Sequence, residues 1–201
     1  MLSTSNYSDF GELNWTKLPK VLRIYTQHLL SLNLTGNNLR SFDFGSMFLR
    51  NDRGLQHLYL RSNSLNSLTN VRKITLSSLK SINVSKNNLT NICNIPWATF
   101  TDNLMTMDFS WNNIKILKTT CFKGLKKLTY LFMEGNSLVE VQTESFFYTP
   151  KIEHIRSTRL YLCCMVPASI QTCYPLRKYD GLSTCDGLLS HVTLQMYIWL
   201  V

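Results

Sequence analysis

One eleven-residue pattern occurs five times in this 201-residue chain, and it constrains the fold more than any other feature of the sequence. The copies begin at residues 29, 55, 79, 104 and 128, with a weaker sixth at Ile152, so successive intervals are 26, 24, 25, 24 and 24 residues. Positions 1, 4, 6 and 11 of each full copy are apolar. A unit of this length cannot bury its own apolar face, so the period predicts stacked copies of one small structural unit.

Positions 4 and 6 of each copy alternate with polar neighbours, which predicts a short strand with one buried face and one solvent face. The buried residues are expected to be Leu32, Leu34, Leu58, Leu60, Ile82, Val84, Met107, Phe109, Leu131 and Met133. A further apolar residue follows thirteen places after each start, and two phenylalanines come later in the last two copies. We predict that this set fills the space behind the strands: Phe42, Leu68, Ile92, Leu117, Val141, Phe122 and Phe146.

Position 9 of every full copy is asparagine, whose amide can both donate and accept hydrogen bonds where the chain turns out of the strand. Stacking of the copies therefore predicts an asparagine ladder of Asn37, Asn63, Asn87, Asn112 and Asn136. In the sixth copy Leu160 replaces this asparagine. Terminal repeats commonly depart from a pattern in this way.

The repeated motif L-x-x-L-x-L-x-x-N-x-L resembles that of leucine-rich repeat proteins. It predicts an α/β solenoid, a right-handed curved leucine-rich repeat solenoid with a parallel concave sheet, followed by a cysteine-rich hinge. Residues 1–28 are assigned to a degenerate or partial N-terminal repeat, in which Leu13, Leu18 and Leu22 could take part.

Six cysteines are present. Cys93 and Cys121 lie in successive repeats and could pair, although we expect two buried free thiols. The other four follow the last strand and are disulfide candidates: Cys163, Cys164, Cys173 and Cys185. Adjacent cysteines rarely bond to each other, so two connectivities remain, each joining the adjacent pair to the later two cysteines. A zinc site that includes His191 is the alternative, but its spacing lacks paired C-x2-C ligands, so we expect neither a metal nor a cofactor.

Five N-x-[ST] sequons indicate an extracellular glycoprotein, with glycosylation candidates Asn6, Asn14, Asn33, Asn83 and Asn88. The alternative is that these asparagines are only neighbours of the ladder. The first ten residues have neither a basic nor a long apolar segment, so no signal peptide is predicted there.

The cysteine-rich stretch 160–189 resembles the hinge of leucine-rich-repeat-containing G-protein-coupled receptors. The adjacent Cys163 and Cys164 with "TCDGLL" around Cys185 are similar to the glycoprotein-hormone receptor branch. Cys164, eight residues and then Cys173, with "CYPL" and "DGLS" (180–183), are more similar to the relaxin receptor branch, which we favour. Relative to either branch, "RKY" lengthens the segment from Cys173 to Asp180 by about two residues.

The resemblance covers residues 29–201 and implies that "HVTLQMYIWLV" is the start of a first transmembrane helix. A full span needs about 20 apolar residues, so only part of such a helix is present. The resulting organisation is leucine-rich repeats at 29–162, hinge at 163–190 and transmembrane start at 191–201. A short amphipathic helix packed on the end of the solenoid is the alternative for the last segment.

Solvent-facing positions 3, 5 and 7 of neighbouring strands are expected to form the concave surface. Exposed aromatic residues there are favoured as binding anchors, and an acidic pair could accept a ligand arginine. The ligand-binding candidates are Tyr59, Arg61, Asp108, Tyr130, Phe132 and Glu134. The two acids could instead be solvated surface groups. The resemblance to relaxin receptors implies acidic concave residues that bind hormone arginines.

The resemblance implies a plasma-membrane receptor whose extracellular part binds a peptide or protein hormone, with a relaxin-like hormone favoured. The hinge would pass the signal to a helical bundle, and the full-length receptor would activate a G protein. A secreted or matrix leucine-rich repeat adhesion protein with a cysteine cap is the alternative. No catalytic motif occurs, so an enzyme is not expected. The net charge of +9 is scattered without stacked aromatics, and its densest group, 115–127, is interpreted as a solvated face, so nucleic acid is not an expected partner.

Overall fold

The computed structural model describes residues 6–20, 22, 29–48, 54–71, 74–97, 102–164 and 170–174. Its main sheet contains eight parallel strands in the order β1-β2-β4-β6-β7-β9-β11-β12. Their bounds are β1 Tyr7–Asp9, β2 Ser31–Asn33, β4 His57–Tyr59, β6 Ser81–Asn83, β7 Thr106–Asp108, β9 Tyr130–Phe132, β11 His154–Arg156 and β12 Thr172–Tyr174. Consecutive repeats thus lie side by side, and the predicted parallel solenoid is confirmed.

The strands pair in repeat register, so that equivalent positions of successive copies are neighbours. Position 4, for example, runs from Leu32 to Leu58 and then Ile82, and continues through the later strands. All ten residues predicted to be buried at positions 4 and 6 are at most 1% exposed. The residues behind them are also buried, with Phe122 and Phe146 stacked at 5.7 Å between ring centroids. The apolar periodicity therefore identified the core correctly.

The asparagine ladder is present. Asn112 Nδ2 donates to the carbonyl of Phe109 in its own repeat and to that of Val84 in the preceding repeat, both at 3.0 Å. Its Oδ1 accepts a hydrogen bond from the backbone N–H of Leu89 at 2.9 Å. The other ladder residues make the same three bonds, so each asparagine joins two repeats. This exchange satisfies backbone groups that the turn would otherwise leave buried without a partner.

Two smaller sheets lie beyond the ladder. β3 (Ser41–Asp43) pairs with β5 (Ser67–Thr69), and β8 (Ile116–Leu117) pairs with β10 (Glu140–Val141). A short helix α1 (Phe44–Met47) and a 3-10 turn (Thr143–Phe146) follow within their repeats. The third repeat lies between the repeats that form these two small sheets, and none of its described residues forms a strand on this side of the solenoid. This flank therefore has a break at the third repeat.

Both ends of the main sheet extend past the five full copies. β1 adds a strand before the first copy; Leu22 is buried and Leu18 packs on the core, whereas Leu13 is 47% exposed. At the other end, helix α2 (Leu160–Cys164) follows β11, the strand of the sixth copy, and β12 pairs with β11. The segment assigned from sequence to the hinge therefore begins as a continuation of the sheet.

Disulfides join both groups of described cysteines. Cys163 pairs with Cys173, which agrees with one of the two connectivities left open and excludes the other, and this pairing removes both thiolates from the alternative zinc site. Cys164 is also disulfide-bonded, whereas Cys185 and His191 lie outside the described residues. The expectation of two free thiols at Cys93 and Cys121 is wrong, because these residues form a disulfide. They stand fifteenth and eighteenth in their repeats, so their different positions concealed the pairing.

Candidate functional site

The structure brings four of the six ligand-binding candidates together on adjacent strands. Asp108 on β7 is the register partner of Phe132 on β9, and Tyr130 and Glu134 lie on the same segment as Phe132. Tyr59 and Arg61 belong to β4 and the residues after it, with β6 between them and β7. At about 4.8 Å per strand, they lie roughly 10 Å from the row of Asp108. The candidates therefore form one compact group and one separate pair.

We define the carboxyl-terminal patch as Tyr130, Phe132, Glu134, His154 and Arg156. The rings of Tyr130 and His154, register partners on β9 and β11, are stacked with centroids 4.6 Å apart and an interplanar angle of 12°. The Nδ1 atom of His154 lies 2.7 Å from the hydroxyl oxygen of Thr172 on β12. These contacts hold the exposed edge of Tyr130, which is 40% exposed, in one orientation.

The charged members of this patch pair with each other. Arg156 Nε lies 3.0 Å from Glu134 Oε1, and its guanidinium is 6.0 Å from the centroid of the Phe132 ring. The arginine side chain is 53% exposed, so the ion pair contributes at most about 1 kcal/mol to folding. A ligand cation can therefore replace Arg156 at Glu134 at low cost. His154 and Arg156 are positions 3 and 5 of the sixth copy and so belong to the predicted concave surface, but they were not among the ligand-binding candidates.

Asp108 has a local structural role that the sequence prediction missed. Its Oδ1 atom accepts hydrogen bonds from the backbone N–H and the hydroxyl of Ser110, two residues later. Asn83 makes the same pair of bonds with Ser85. Ser85 and Ser110 stand at position 7, which was predicted to face solvent, but both are buried. The prediction for position 7 is wrong in these two copies. The sequence does contain a pattern that indicates this local hydrogen bond, namely Asp or Asn at position 5 followed by Ser, Thr or Gly at position 7.

This local motif also bears on the sequons. In Asn33 and Asn83 the side-chain oxygen accepts the backbone N–H two residues on, and both asparagines are only partly exposed. The Nδ2 atom of Asn33, the atom that a glycan would occupy, donates to Asp9 Oδ1 at 3.0 Å. By contrast, Asn6, Asn14 and Asn88 are exposed. Two sequons therefore have a structural explanation of their own, and three stay open as predicted glycosylation sites.

The separate pair on β4 adjoins a partly buried histidine. His57 stacks on Tyr59 at 6.5 Å between ring centroids, and its Nδ1 lies 2.7 Å from the hydroxyl oxygen of Ser81. Burial and then the positive charge of Lys80 lower the pKa of His57 from its ordinary value of 6.5. The imidazole is therefore held neutral at physiological pH, beside an aromatic ring that is 36% exposed.

Comparison with known proteins identifies the repeat family over part of the chain. Residues 77–138 match the family model described as leucine rich repeat. A search of curated proteins finds no match. No helix among the described residues is long and apolar enough to cross a bilayer, and the segment 191–201 lies outside them.

Solved structures share the fold. A TLR13–ssRNA13 complex contains a chain that is 28% identical over 66% of this protein and 18% of its own length, with a TM-score of 0.57. A chain of the Drosophila Toll–Spatzle complex is 19% identical, with 85% and 26% of the two chains covered and a TM-score of 0.62. A chain of the octameric Latrophilin 3, Unc5D and FLRT2 (LRR) complex is 16% identical, with coverages of 78% and 51% and a TM-score of 0.54.

This protein spans about a fifth and about a quarter of the first two of those chains. The family match, the in-register parallel strands and the asparagine ladder agree with one another. The described part of the chain therefore has the leucine-rich repeat fold, and residues 77–138 match the leucine rich repeat family model.

Proposed function

We propose that this chain binds a protein or peptide on its concave sheet and that the carboxyl-terminal patch is the centre of the site. One observation carries the proposal: Phe132 lies between Asp108 and Arg156 across three adjacent strands, beside the stacked Tyr130 ring. Aromatic side chains are enriched among the residues that dominate binding energy at protein interfaces. Because neighbouring rings already fix Tyr130, little side-chain entropy is lost when a ligand binds.

The charges of the patch favour a ligand with an exposed basic group. The Oδ2 atom of Asp108 has no hydrogen bond among the described residues, and Glu134 is held only by the exposed Arg156. A ligand arginine at either carboxylate would form charge-assisted hydrogen bonds. A relaxin-like peptide hormone has this chemistry and is the favoured ligand.

A nucleic-acid ligand is not proposed, although one similar chain, that of TLR13, is in a complex with ssRNA13. Binding of a phosphate backbone depends on cations that no carboxylate opposes. On this concave surface Arg156 is paired with Glu134, and the acids Asp9 and Asp108 lie on other strands of the same sheet. A basic protein surface suits this arrangement better than a polyanion.

We further propose that the chain is the extracellular part of a relaxin-receptor-like leucine-rich-repeat-containing G-protein-coupled receptor at the plasma membrane. Its support is the hinge-like segment 160–189 and the Cys163–Cys173 disulfide, since disulfides persist in oxidising compartments. In that setting the hinge couples the bound hormone to a helical bundle and a G protein.

A secreted or matrix adhesion module is the second candidate. The observation in its favour is that β12 and the Cys163–Cys173 disulfide close the end of the main sheet in the manner of a cap. The transcript sequence beyond Val201 distinguishes the two. Several long apolar spans would support the receptor, whereas a stop codon soon after Val201 in cellular message would support the secreted module.

Titration of the full chain with a fluorescently labelled relaxin-like peptide tests the proposal. We expect saturable binding that weakens at least tenfold in Phe132→Ala and in Tyr130→Ala. The matched control is Phe147→Ala, which removes an aromatic ring that is 75% exposed outside the concave strands. Absence of binding would reject the hormone assignment. Binding that tolerates both concave substitutions would reject the concave site itself.

A further inference from the structure

We propose that one flank of repeats 3–5 is a second docking surface, separate from the concave sheet, and that it binds an acidic protein segment containing large apolar residues. Its centre is an open groove of about 620 Å³ beside β8, at the break between the two small sheets. The groove is lined by Thr90, Asn91, Cys93, Asn113, Lys115, Ile116, Lys118 and Ser137. None of these residues belongs to the carboxyl-terminal patch.

The positive charge of the groove is unopposed by its own lining. Lys115 and Lys118 are exposed and form no ion pair with a described residue, and the lining contains no carboxylate. Glu140, the register partner of Ile116, is outside the lining, and its carboxylate accepts a hydrogen bond from Gln142. Segment 115–127, which was interpreted from the sequence as one solvated face, therefore contains two groups of lysines. Lys115 and Lys118 line the groove, whereas other lysines of that segment do not.

Lys86 extends the charge along the row of position 8. It is exposed, and the backbone N–H of the next residue, Asn87, donates to the carbonyl of Trp111 at 3.2 Å. Lys86 and Trp111 are thus neighbours in successive repeats. The basic surface consequently spans from the third repeat into the fourth.

Three exposed apolar side chains lie in the lining of the groove or next to it. Trp111 is 58% exposed, Val139 is 71% exposed and Ile116 is 38% exposed. The backbone N–H of Val139 donates to the carbonyl of Lys115 at 2.8 Å, which places Val139 directly beside the lining. The indole of Trp111 packs over Gly135, two residues before Ser137 of the lining. The surface therefore alternates basic and apolar groups.

The backbone conformation of Trp111 also favours a binding role for this surface. Its φ is +57°, and position 8 is left-handed in all five full copies, with glycine at Gly36 and Gly135. A bulky residue in this conformation costs about 1–2 kcal/mol relative to the ordinary helical region. A large exposed ring at a position where glycine is the unstrained choice is unfavourable for folding alone, and such strain concentrates at binding surfaces.

The ligand lies over the groove and does not insert between the strands. Cys93 Sγ is only 3.7 Å from the carbonyl oxygen of Ile116, so the third and fourth repeats are too close for an added strand. A polypeptide with acidic and apolar side chains matches both kinds of group. A sulfated polysaccharide would match the lysines but would leave the tryptophan, valine and isoleucine side chains without apolar partners.

The probe is a labelled synthetic peptide with alternating glutamate and leucine or phenylalanine, titrated against the full chain by fluorescence polarisation. We expect saturable binding that weakens roughly tenfold in the double variant K115E/K118E, since two attractions become repulsions. Trp111→Gly should also weaken binding several-fold while relieving the backbone strain, so the variant keeps its fold. The control K126E/K151E makes the same charge change at two exposed lysines outside the groove and should bind as the parent does.

Three results would overturn the proposal. Equal weakening in K126E/K151E would show attraction to the net charge alone, and failure of the peptide to bind would reject the surface. Tighter binding of a heparin fragment, unaffected by Trp111→Gly, would assign the flank to a sulfated polysaccharide instead. Thermal unfolding of each variant confirms that it is folded during the titration.

Discussion

Replacement of Asn112 by leucine tests whether the asparagine ladder holds the repeats together. The side chain is 4% exposed and makes hydrogen bonds to the Leu89 N–H and to the carbonyls of Val84 and Phe109. Leucine has a similar size but can make none of the three. The ladder asparagines of the two adjacent repeats also donate to these carbonyls, so each carbonyl keeps one partner.

The magnitude follows from which groups lose their partners. The Leu89 N–H loses its hydrogen bond in a buried site, which costs about 1–3 kcal/mol, and each carbonyl loses a second bond worth roughly 0.5–1.5 kcal/mol. The sum is about 4 kcal/mol. Burial of the new leucine returns about 1.5–3 kcal/mol. The net loss is therefore about 1–2.5 kcal/mol, or roughly 2–10 °C in Tm for a chain of this size.

Urea unfolding followed by circular dichroism and tryptophan fluorescence measures this loss. The matched control is Asn113→Leu, which makes the same substitution at the next residue, where the side chain is exposed. We expect the control to stay within about 0.5 kcal/mol of the parent. Coincident unfolding midpoints for the two variants would refute the role assigned to the ladder.

Three further predictions concern single side chains. The pKa of His57 is lowered in the folded chain, so the unfolded chain binds more protons as the pH falls through 6.5. The free energy of unfolding should therefore decrease there and level off below the folded pKa. His57→Gln should lose this pH dependence, and an unchanged profile in that variant would contradict the assignment. Arg156→Gln frees Glu134 and should raise the affinity for a basic relaxin-like peptide up to about fivefold by calorimetry, whereas a loss of affinity would show that Arg156 itself contacts the ligand. Gly135→Ala should destabilise the fold by about 1–2 kcal/mol in urea, because φ is +69° and the added methyl would lie 2.6 Å from Trp111 ring atoms; an unchanged midpoint would refute this packing.

The periodic part of the fold could be predicted because each repeat position has one environment. Leu58 and Asn87 have the same roles as their equivalents in other copies, so five copies strengthen each inference. The same reasoning located four adjacent candidates of the concave site, since strand register follows from the period. Positions 1 to 11, with the later apolar positions behind the strands, therefore carried the correct predictions of the core and the ladder.

Features outside the period could not be predicted in the same way. The Cys93–Cys121 disulfide joins two different positions of repeats that differ in length, so alignment of the copies separates them. Trp97 occupies the same repeat position as Phe122 and Phe146 and is 1% exposed, but its indole N–H donates to the Ile92 carbonyl at 3.2 Å, a bond that phenylalanine cannot make. Contacts of this kind depend on the path of each connection, which the repeat motif does not specify.

Pairing within the concave surface was also hidden from the sequence. Arg156 lies 22 residues beyond Glu134, yet the two belong to adjacent strands and form an ion pair. Likewise, the predicted ligand acid Asp108 already binds Ser110. A list of polar residues facing one surface does not show which of them neutralise each other, because side-chain geometry decides that.

Photo-crosslinking tests the concave site most directly. Benzoylphenylalanine placed at Phe132, in the carboxyl-terminal patch, should form a covalent adduct with a bound relaxin-like peptide, and mass spectrometry would show the mass of chain plus peptide. The same probe at Phe147, which is 75% exposed outside the concave strands, should form none. Equal adducts at both positions, or an adduct at residue 147 alone, would contradict the account.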